Sequence, residues 1–360
     1  MRPERSLLAL LTTLLLTACE PTPPAPASYA GLGRDSGNFL PVRQGRTLQF
    51  PRDHGAHHGY RVEWWYVTAN LSDPQGRDWG AQWTLFRSAL RPGEEQPGWA
   101  SPNLWMGHAA LSGPFGHQFS ETLARGGIGQ AGVTAQPFSA WIDDWSLQAD
   151  GAEGIEQLRM RAAGKAFAYD LQLRSDRPLV LHGRQGYSEK SGKGQASYYY
   201  SQPFYRVTGE VVQAGQRHTV TGQAWLDREW SSQPLAADQH GWDWFSLHLE
   251  GGARVMLFQV RQAQGAAYRA GTWIEADGSS VAMDGAEVVL TPLSNTRLHD
   301  GRQLPTRWRV QVPSRQLDVE VDALVPQAWM GTRFAYWEGP VKVHGSSGGR
   351  GYLEMTGYTQ

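Results

Sequence analysis

The chain has 360 residues, of which 33 are lysine or arginine and 34 are aspartate or glutamate, so its formal net charge at pH 7 is −1. A balance this close to neutral shows no electrostatic footprint for nucleic acid, and we predict no nucleic-acid partner. The single cysteine excludes disulfide bonds within the chain, so its stability has to come from a buried core.

The first residues resemble the signal peptide of a bacterial lipoprotein. Arg2 and Arg5 precede an apolar run at 7–16, which is too short to span a bilayer because a transmembrane helix needs ~20 residues. The residues LTAC, which end at Cys19, resemble a lipobox, in which cleavage before the cysteine is followed by its acylation. We therefore predict a signal peptide at 1–18 and lipidation of Cys19. The alternative is an ordinary secretory signal with a chance cysteine.

A proline-rich tether is predicted at 19–45. Its sequence EPTPPAPAS, directly after Cys19, favours an extended and solvated chain. We expect the tether to hold the folded body away from a lipid surface on the periplasmic side of a bacterial cell envelope.

The rest of the chain favours β-strands. It is rich in aromatic residues and glycine, with 16 Trp, 13 Tyr, 11 Phe and 42 Gly in the whole sequence. A strong strand is predicted at 61–71, and the turn DPQG at 73–76 returns it to a partner. Further short strands are predicted at 79–90, 104–112, 138–143, 157–162 and 166–174. Short strands at this spacing indicate an all-β sandwich or barrel.

A degenerate internal repeat is visible. EWWY at 63–66 resembles WDWF at 242–245, which aligns the second tryptophan of each motif. A strand containing Leu-Phe follows each motif, at 85–86 and at 257–258. Chance similarity among aromatic strands is the alternative to a true repeat. The repeat predicts two related β-domains, at 46–230 and 240–360.

The stretch 224–244, which joins the predicted domains, combines tryptophans with acids. If its first part is a strand, Trp225, Asp227 and Glu229 share one face, and Arg228 lies on the other. Carboxyl groups beside indoles can serve as proton donors, as sugar-binding groups or as hydrogen-bonded parts of a core. The residue types leave these alternatives open.

Two motifs that resemble catalytic or metal-binding sequences are interpreted as structural. GSSGG at 345–349 matches G-x-S-x-G, but a strand follows it instead of the helix of a nucleophile elbow. Asp53, His54, His57 and His58 are residue types that suit zinc, but they lie on a loop and the sequence indicates no further ligand. We predict no metal site and no cofactor.

Seven motifs follow one another along the chain: DHGAH at 53–57, EWWY at 63–66, YYYS at 198–201, WLDREW at 225–230, GWDWF at 241–245, YWEG at 336–339 and GYLEMTGY at 351–358. In this order they resemble the family of AttH and carotenoid 1,2-hydratase (hydroxyneurosporene synthase). The resemblance implies two lipocalin-like antiparallel β-barrel domains in tandem. Arg228 departs from the family pattern, which has histidine there, and arginine cannot replace histidine as an acid or base.

The resemblance also implies several activities. Carotenoid hydratases of this family add water to a terminal isoprenoid double bond, and fungal relatives catalyse pericyclic reactions. Many bacterial members are lipoproteins described only as predicted secreted hydrolases, and some are encoded beside ABC-type permeases. The partners expected from it are an apolar small molecule, a membrane reached through acylated Cys19, and an ABC-type permease.

The first hypothesis is an envelope protein that binds a long apolar, lipid-like or isoprenoid-like ligand. A lipocalin-type barrel encloses a cavity for one small ligand, and aromatic lining suits an apolar one. We expect the pocket at or near the domain junction. Its candidate ligand-binding residues are Trp65, Tyr198, Trp225, Trp242 and Trp244.

The second hypothesis is a hydratase-like enzyme that protonates an alkene. This chemistry needs a carboxylic acid kept neutral by an apolar pocket, and aromatic faces that stabilise a carbocation. Asp227, Glu229 and Asp243 are the candidate catalytic acids. The third hypothesis is carbohydrate binding or hydrolysis, since tryptophans stack on sugars and two neighbouring carboxyl groups are available.

Overall fold

The computed structural model describes residues 37–151, 153–233, 235 and 238–358. The predicted signal peptide at 1–18 and Cys19 lie outside these residues. Within the described ranges, no helix is long and apolar enough to cross a membrane. The helices described there are 3-10 turns at Arg52–His54, Gly98–Ala100 and Pro313–Arg315.

The first barrel is a curled antiparallel sheet of 13 strands. They are β1 (Val62–Ser72), β2 (Asp78–Ala89), β3 (Asn103–Gly113), β4 (Gly116–Arg125), β5 (Ala131–Ala135), β6 (Phe138–Ile142), β7 (Trp145–Ala149), β8 (Gln157–Ala163), β9 (Phe167–Arg174), β10 (Val180–Leu181), β11 (Tyr187–Glu189), β12 (Ala196–Gln213) and β13 (Gln216–Ser231). The order is β4-β3-β2-β1-β13-β12-β9-β8-β7-β6-β5, with β10 and β11 paired to β12. Because β4 contacts β6 near the other end of this order, the sheet is nearly closed.

The second barrel is an antiparallel sheet of 10 strands. They are β14 (Gln239–Leu249), β15 (Arg254–Gln262), β16 (Tyr268–Ile274), β17 (Ser280–Met283), β18 (Val289–Arg297), β19 (Gln303–Val312), β20 (Leu317–Ala323), β21 (Trp329–Met330), β22 (Tyr336–Gly345) and β23 (Gly349–Thr356). The order is β17-β16-β15-β14-β23-β22-β20-β19-β18, with β21 paired to β22.

Each barrel encloses its own hydrophobic core. Along β9, buried residues alternate with partly exposed ones, as expected for a strand with one face inside and one face towards solvent. Trp65 and Trp83 belong to the core of the first barrel, and Phe245 and Trp308 belong to that of the second. The prediction of an all-β chain with two antiparallel barrel-like domains in tandem is confirmed.

The two barrels pack against each other through a third apolar cluster, which includes Tyr66, Trp225 and Trp244. Strands β1 and β14 are therefore buried on both faces along most of their length. The barrels approach each other closely at Gly80 on β2, where a Cβ atom would come within 2.6 Å of the Pro340 ring. The outward faces of these strands thus form an interface.

Strands β1 and β14 occupy equivalent positions in the two barrels. β1 lies between β13 and β2, and β14 lies between β23 and β15. Trp64 is paired with Phe86, and Trp244 is paired with Phe258. Trp64 is therefore the equivalent of Trp244. The alignment of the two sequence motifs, which matches Trp65 with Trp244, is wrong by one residue.

Candidate active site between the two barrels

A cavity of about 130 Å³ lies between the two barrels. The first barrel contributes outward-facing residues of β1 and β12, among them Trp64, Tyr66 and Tyr199. The second barrel contributes Trp242 and Trp244 from β14. Both barrels are needed to build the wall, which is mainly aromatic and apolar, as is typical of sites for small molecules.

Asp227 is the central carboxyl group of this wall and is only 3% exposed. Its Oδ1 atom accepts hydrogen bonds from the Trp225 indole at 2.6 Å and from the Ser201 hydroxyl, and Oδ2 accepts one from the Tyr199 hydroxyl at 2.7 Å. Burial raises the pKa of Asp227 to about 7, against the opposing effect of these three donors. The group can therefore exist as acid or as carboxylate near neutral pH.

A chain of hydroxyl and imidazole groups continues behind Asp227. The Ser201 hydroxyl lies 2.6 Å from Nε2 of His182, and Nδ1 of His182 lies 2.8 Å from the Thr272 hydroxyl. Burial, reinforced by the charge of Lys190, lowers the pKa of His182 to about 3, so the ring is neutral. A neutral imidazole has one donor and one acceptor nitrogen. The chain can run in either direction, so Ser201 can donate to the carboxylate or accept from the acid.

A second pair of acids adjoins the same cavity. Glu354 lines the cavity and accepts a hydrogen bond from the Trp242 indole. Glu338 lies behind it and accepts one from the Tyr66 hydroxyl at 2.6 Å. Burial raises the pKa of Glu354 to about 7, and burial and the charge of Glu354 hold the pKa of Glu338 well above its usual value. The cavity is thus bordered by three carboxyl groups that favour protonation.

Glu229 also lines the cavity, but it has a cationic partner. Its carboxylate lies 2.8 Å from Nζ of Lys190 and accepts a hydrogen bond from the Ser197 hydroxyl. The ammonium group of Lys190 lies 4.5 Å from the ring centre of Phe258 and 4.9 Å from that of Tyr199. The ion pair is therefore set against aromatic faces at the cavity wall.

Asp243, the third acid predicted from the sequence, lies on the other face of β14 and does not line the cavity. It is fully buried beside Arg261, accepts a hydrogen bond from the Gln259 amide at 2.8 Å, and accepts another from the Tyr358 hydroxyl at 3.0 Å. Its contacts are those of a hydrogen-bonded structural group.

The predicted ligand-binding residues divide between two places. Trp242 and Trp244 line the cavity, and Trp225 packs beside it against Asp227. Trp65 and Tyr198 point into the core of the first barrel and do not line the cavity. Strand alternation explains this separation, because neighbouring residues on a strand face opposite sides of the sheet.

Arg228 also points into the first barrel, away from Asp227. Its guanidinium group pairs with Glu63 and lies 3.7 Å from the ring centre of Trp65. Glu63 pairs in addition with Arg87, and all three charged groups are at most 1% exposed. Arg228 itself does not line the cavity, but its partner Glu63 and the neighbouring Arg87 do, so the ion-pair network connects the interior of the first barrel with the cavity wall.

The histidines that the sequence analysis interprets as structural contact other side chains of the protein. His57 lies 3.0 Å from Glu63 and 3.3 Å from Asp53, and its ring stacks on Trp230 with centres 3.9 Å apart. His54 contacts the hydroxyl of Tyr200 at 2.7 Å. His58 lies 3.7 Å from Glu94.

Sequence reasoning missed the polar residues that surround Asp227. These are Tyr66, His182, Tyr199, Ser201, Glu338 and Glu354. The motifs YYYS, YWEG and GYLEMTGY contain four of them, but no sequence spacing indicates that they meet. Only the pairing of outward-facing strand residues across the two barrels brings them together.

Comparisons with known proteins agree with this architecture. A family model described as AttH-like matches residues 41–358, and a search of curated proteins finds no match. A solved structure from Nitrosomonas europaea assigned as AttH is 34% identical, with a TM-score of 0.80, and the match covers 89% of this chain and 100% of that one.

Two further solved structures share the fold at low identity. Kievitone hydratase from Nectria haematococca is 13% identical, with a TM-score of 0.66 and coverage of 89% of this chain and 97% of that one. CghA, solved with Sch210972, is 12% identical, with a TM-score of 0.54 and coverage of 91% and 98%. Since the family model spans most of the sequence and the Nitrosomonas structure matches at nearly full length, the chain belongs to the AttH-like family.

Proposed function

We propose that the protein is a hydratase-like enzyme, which adds water to a carbon–carbon double bond of a largely apolar molecule or removes it. The observation that carries the proposal is Asp227, a carboxyl group in an aromatic cavity wall whose pKa burial raises to about 7. A group with this pKa can both donate and accept a proton at neutral pH.

In hydration, the acidic proton of Asp227 forms a C–H bond with one alkene carbon, using the π electrons of the double bond. The neighbouring carbon becomes cationic, and the faces of Tyr199, Trp242 and Trp244 stabilise it electrostatically. A water oxygen then forms the C–O bond and releases its proton to a base. The carboxylate left on Asp227 is stabilised by its three hydrogen-bond donors.

The size of the cavity supports a substrate of which only one end is bound inside the cavity. Its volume of about 130 Å³ is close to the ~150 Å³ of an engineered cavity that binds benzene. A ring or a terminal isoprenoid unit fits this space, and the remainder of a longer molecule would extend out between the barrels. The shared fold of kievitone hydratase, a protein named for a hydration reaction, further supports the proposal.

Isotope incorporation tests the proposal. The purified protein is incubated with lycopene, squalene or geranylgeraniol in H₂¹⁸O, and products are analysed by mass spectrometry. We expect a product with one added water that contains ¹⁸O, formed at a rate that falls as the pH rises through about 7, because Asp227 must be protonated. Asp227→Asn should lower turnover by ~10²–10⁴-fold. Asp243→Asn should retain turnover, and unchanged turnover in Asp227→Asn would remove Asp227 from the mechanism.

A second candidate function is binding of an apolar ligand without turnover, which the aromatic wall around Trp242 and Trp244 favours. Native mass spectrometry and lipid extraction of the purified protein would then find a bound apolar molecule that is released unchanged. Stoichiometric binding with no ¹⁸O product would select this function over the first.

We also propose that acylated Cys19 anchors the protein on the periplasmic side of a bacterial cell envelope. The LTAC sequence supports this proposal, and such an anchor would bring the cavity close to apolar molecules and to an ABC-type permease as partner. Labelled palmitate should be incorporated, and Cys19→Ser should lose the label and leave the membrane fraction. A permease should co-purify with the anchored form, and its absence would count against that partner.

A further inference from the structure

His108 connects a carboxylate near the surface with a tyrosine of the cavity wall. Its Nε2 atom lies 3.2 Å from Glu121, its direct partner across β3 and β4, and Nδ1 lies 2.9 Å from the Tyr336 hydroxyl. Tyr336 belongs to β22 of the second barrel and lines the same cavity as Asp227. The imidazole itself is fully buried at the interface of the barrels.

The chemistry of the three groups assigns the direction of the hydrogen bonds. The bond to His108 lowers the pKa of Glu121, so this carboxylate is ionised and can only accept. Nε2 of His108 therefore carries the hydrogen, and Nδ1 accepts the hydrogen of the Tyr336 hydroxyl. Burial lowers the pKa of His108 although Glu121 opposes this effect, so the ring is neutral at neutral pH. It is oriented to take up a proton at Nδ1.

The aromatic neighbours fix the ring in this orientation. Tyr336 stacks on the imidazole with ring centres 5.6 Å apart, and Phe86 on β2 meets it edge-on at 5.2 Å. Glu121 also accepts the backbone N–H of Arg333 at 3.0 Å, which ties the carboxylate to the second barrel. The relay thus spans both barrels and is held at each end.

We propose that Tyr336 is a second catalytic residue of the cavity and that His108 and Glu121 are positioning residues acting through it. The inference rests on the proposed hydratase-like function. As the water oxygen bonds to the cationic carbon, one water proton passes to the Tyr336 oxygen, and the hydroxyl proton of Tyr336 passes to Nδ1 of His108. Asp227 has then lost one proton and His108 has gained one, so charge is balanced.

The carboxylate of Glu121 completes the cycle. It offsets the positive charge of the protonated His108, as the aspartate of a Ser-His-Asp triad does for its histidine. Its side chain is 18% exposed, so the proton can leave to solvent while Asp227 is protonated again. Asp227, which protonates the alkene, and Tyr336, which takes the proton of the attacking water, therefore belong to different barrels.

Deuterium exchange separates the two steps. In D₂O, reversible protonation by Asp227 places deuterium in recovered squalene or lycopene, whereas hydration also needs the base. Tyr336→Phe should retain this exchange and lose hydration by ~10²-fold or more. Asp227→Asn should lose both reactions. Tyr187→Phe, the same change on a strand outside the cavity, should retain both.

The outcomes distinguish the two proposals. Hydration by Tyr336→Phe at the wild-type rate would overturn this inference and leave the proposed function standing. A wild-type protein that neither exchanges nor hydrates these probes would overturn both. Loss of exchange as well as hydration in a folded Tyr336→Phe variant would also contradict the inference, because the tyrosine would then act on the protonation step.

The pH profile tests the positioning residues. Glu121 on β4 and Tyr336 on β22 are the titratable groups that face His108, and Phe86 is its apolar neighbour on β2. Wild-type hydration should fall at low pH as His108 becomes protonated and at high pH as Asp227 ionises. Glu121→Gln should move the acidic limb to lower pH and reduce the plateau rate by ~10-fold or more. An unchanged acidic limb would overturn the roles of His108 and Glu121.

Discussion

Glu338 and Glu354 lie directly opposite each other on the hydrogen-bonded strands β22 and β23. Glu338 is 1% exposed, and its Oε2 atom has no hydrogen-bond donor among the residues that the structure describes. Two carboxyl groups this close cannot both ionise without a large electrostatic cost. When Glu338 is protonated, its carboxyl group becomes a hydrogen-bond donor to Glu354. The pair therefore holds a proton at neutral pH beside the cavity.

The raised pKa of Glu338 makes a prediction about stability. Below the unfolded pKa near 4.5 the group is neutral in both states, and as the pH rises the unfolded state ionises while the folded state resists. Glu338→Gln should therefore be more stable than wild type at pH 8, by roughly 1–3 kcal/mol, and should match it at pH 4. Urea unfolding at both pH values measures the difference. Glu210→Gln, at a half-exposed ion pair, is the control, and a gain independent of pH would contradict the explanation.

The buried ion pairs of Glu63 lead to the opposite expectation. Burial works against its ionisation, but Arg87 and Arg228 outweigh burial and hold the pKa of Glu63 well below its usual value. Glu63→Gln should lose ~3–5 kcal/mol at pH 7, because two buried guanidinium groups lose their counter-charge. The loss should shrink as the pH falls below 4.5, because the unfolded chain then takes up a proton at Glu63 while the folded protein resists protonation. Asp318→Asn, in an exposed and solvent-screened pair, should leave the free energy of unfolding nearly unchanged in the same measurement.

Neighbouring tryptophans on β1 should differ in function. Trp64 lines the cavity, whereas Trp65 belongs to the core of the first barrel. Trp64→Ala should weaken binding of an apolar fluorescent probe such as anilinonaphthalene sulfonate by ~10-fold, since contact area in the cavity is lost. Trp65→Phe should lower the free energy of unfolding and leave probe affinity unchanged. Equal effects of both changes on affinity would show that the probe binds elsewhere.

Gly80 provides a test of the barrel interface. A Cβ atom at this position would meet Pro340 and the Tyr352 hydroxyl at 2.6 Å, so Gly80→Val forces the barrels apart. We expect a loss of ~1–3 kcal/mol in unfolding free energy and a larger radius of gyration by small-angle X-ray scattering. Gly192→Val, where no heavy atom lies within 4 Å, is the matched control. Full activity with the barrels separated would contradict a cavity built by both.

Much of the fold was accessible from the sequence because strands carry a local signal. The run 61–71 predicts a strand, and β1 spans Val62–Ser72. The repeated aromatic motifs predict two related β-domains, and the structure has two barrel-like domains in tandem. Trp225, Asp227 and Glu229 share one face of β13 as predicted, because alternation along a regular strand follows from backbone geometry alone.

The orientation of individual side chains was harder to predict. The alignment of EWWY with WDWF by residue type makes Trp65 the equivalent of Trp244. Strand pairing shows instead that Trp64 is the equivalent residue. A shift of one residue exchanges the two faces of a strand, so Trp65 was assigned to the ligand although it belongs to the core. Residue identity does not report which face is covered by the other barrel.

Apart from Asp227 and Glu229, the polar groups around the cavity have no sequence signal that brings them together. His108 and Tyr336 come from different barrels, as do Tyr66 and Glu338, and each pair meets only because the barrels pack face to face. Pattern analysis within one strand treats such residues as separate buried polar groups. Their partners are determined by tertiary packing that no local spacing encodes.

The position of the cavity between two separately cored barrels has a consequence for how this architecture can change. Residues facing inward on β1, β13 and β14 are constrained by the packing of their own barrel, whereas their immediate neighbours in sequence face the shared cavity. Substitutions at alternate positions of these three strands can therefore change the shape and polarity of the cavity without repacking either core. The two barrels together thus build a cavity that neither could form alone.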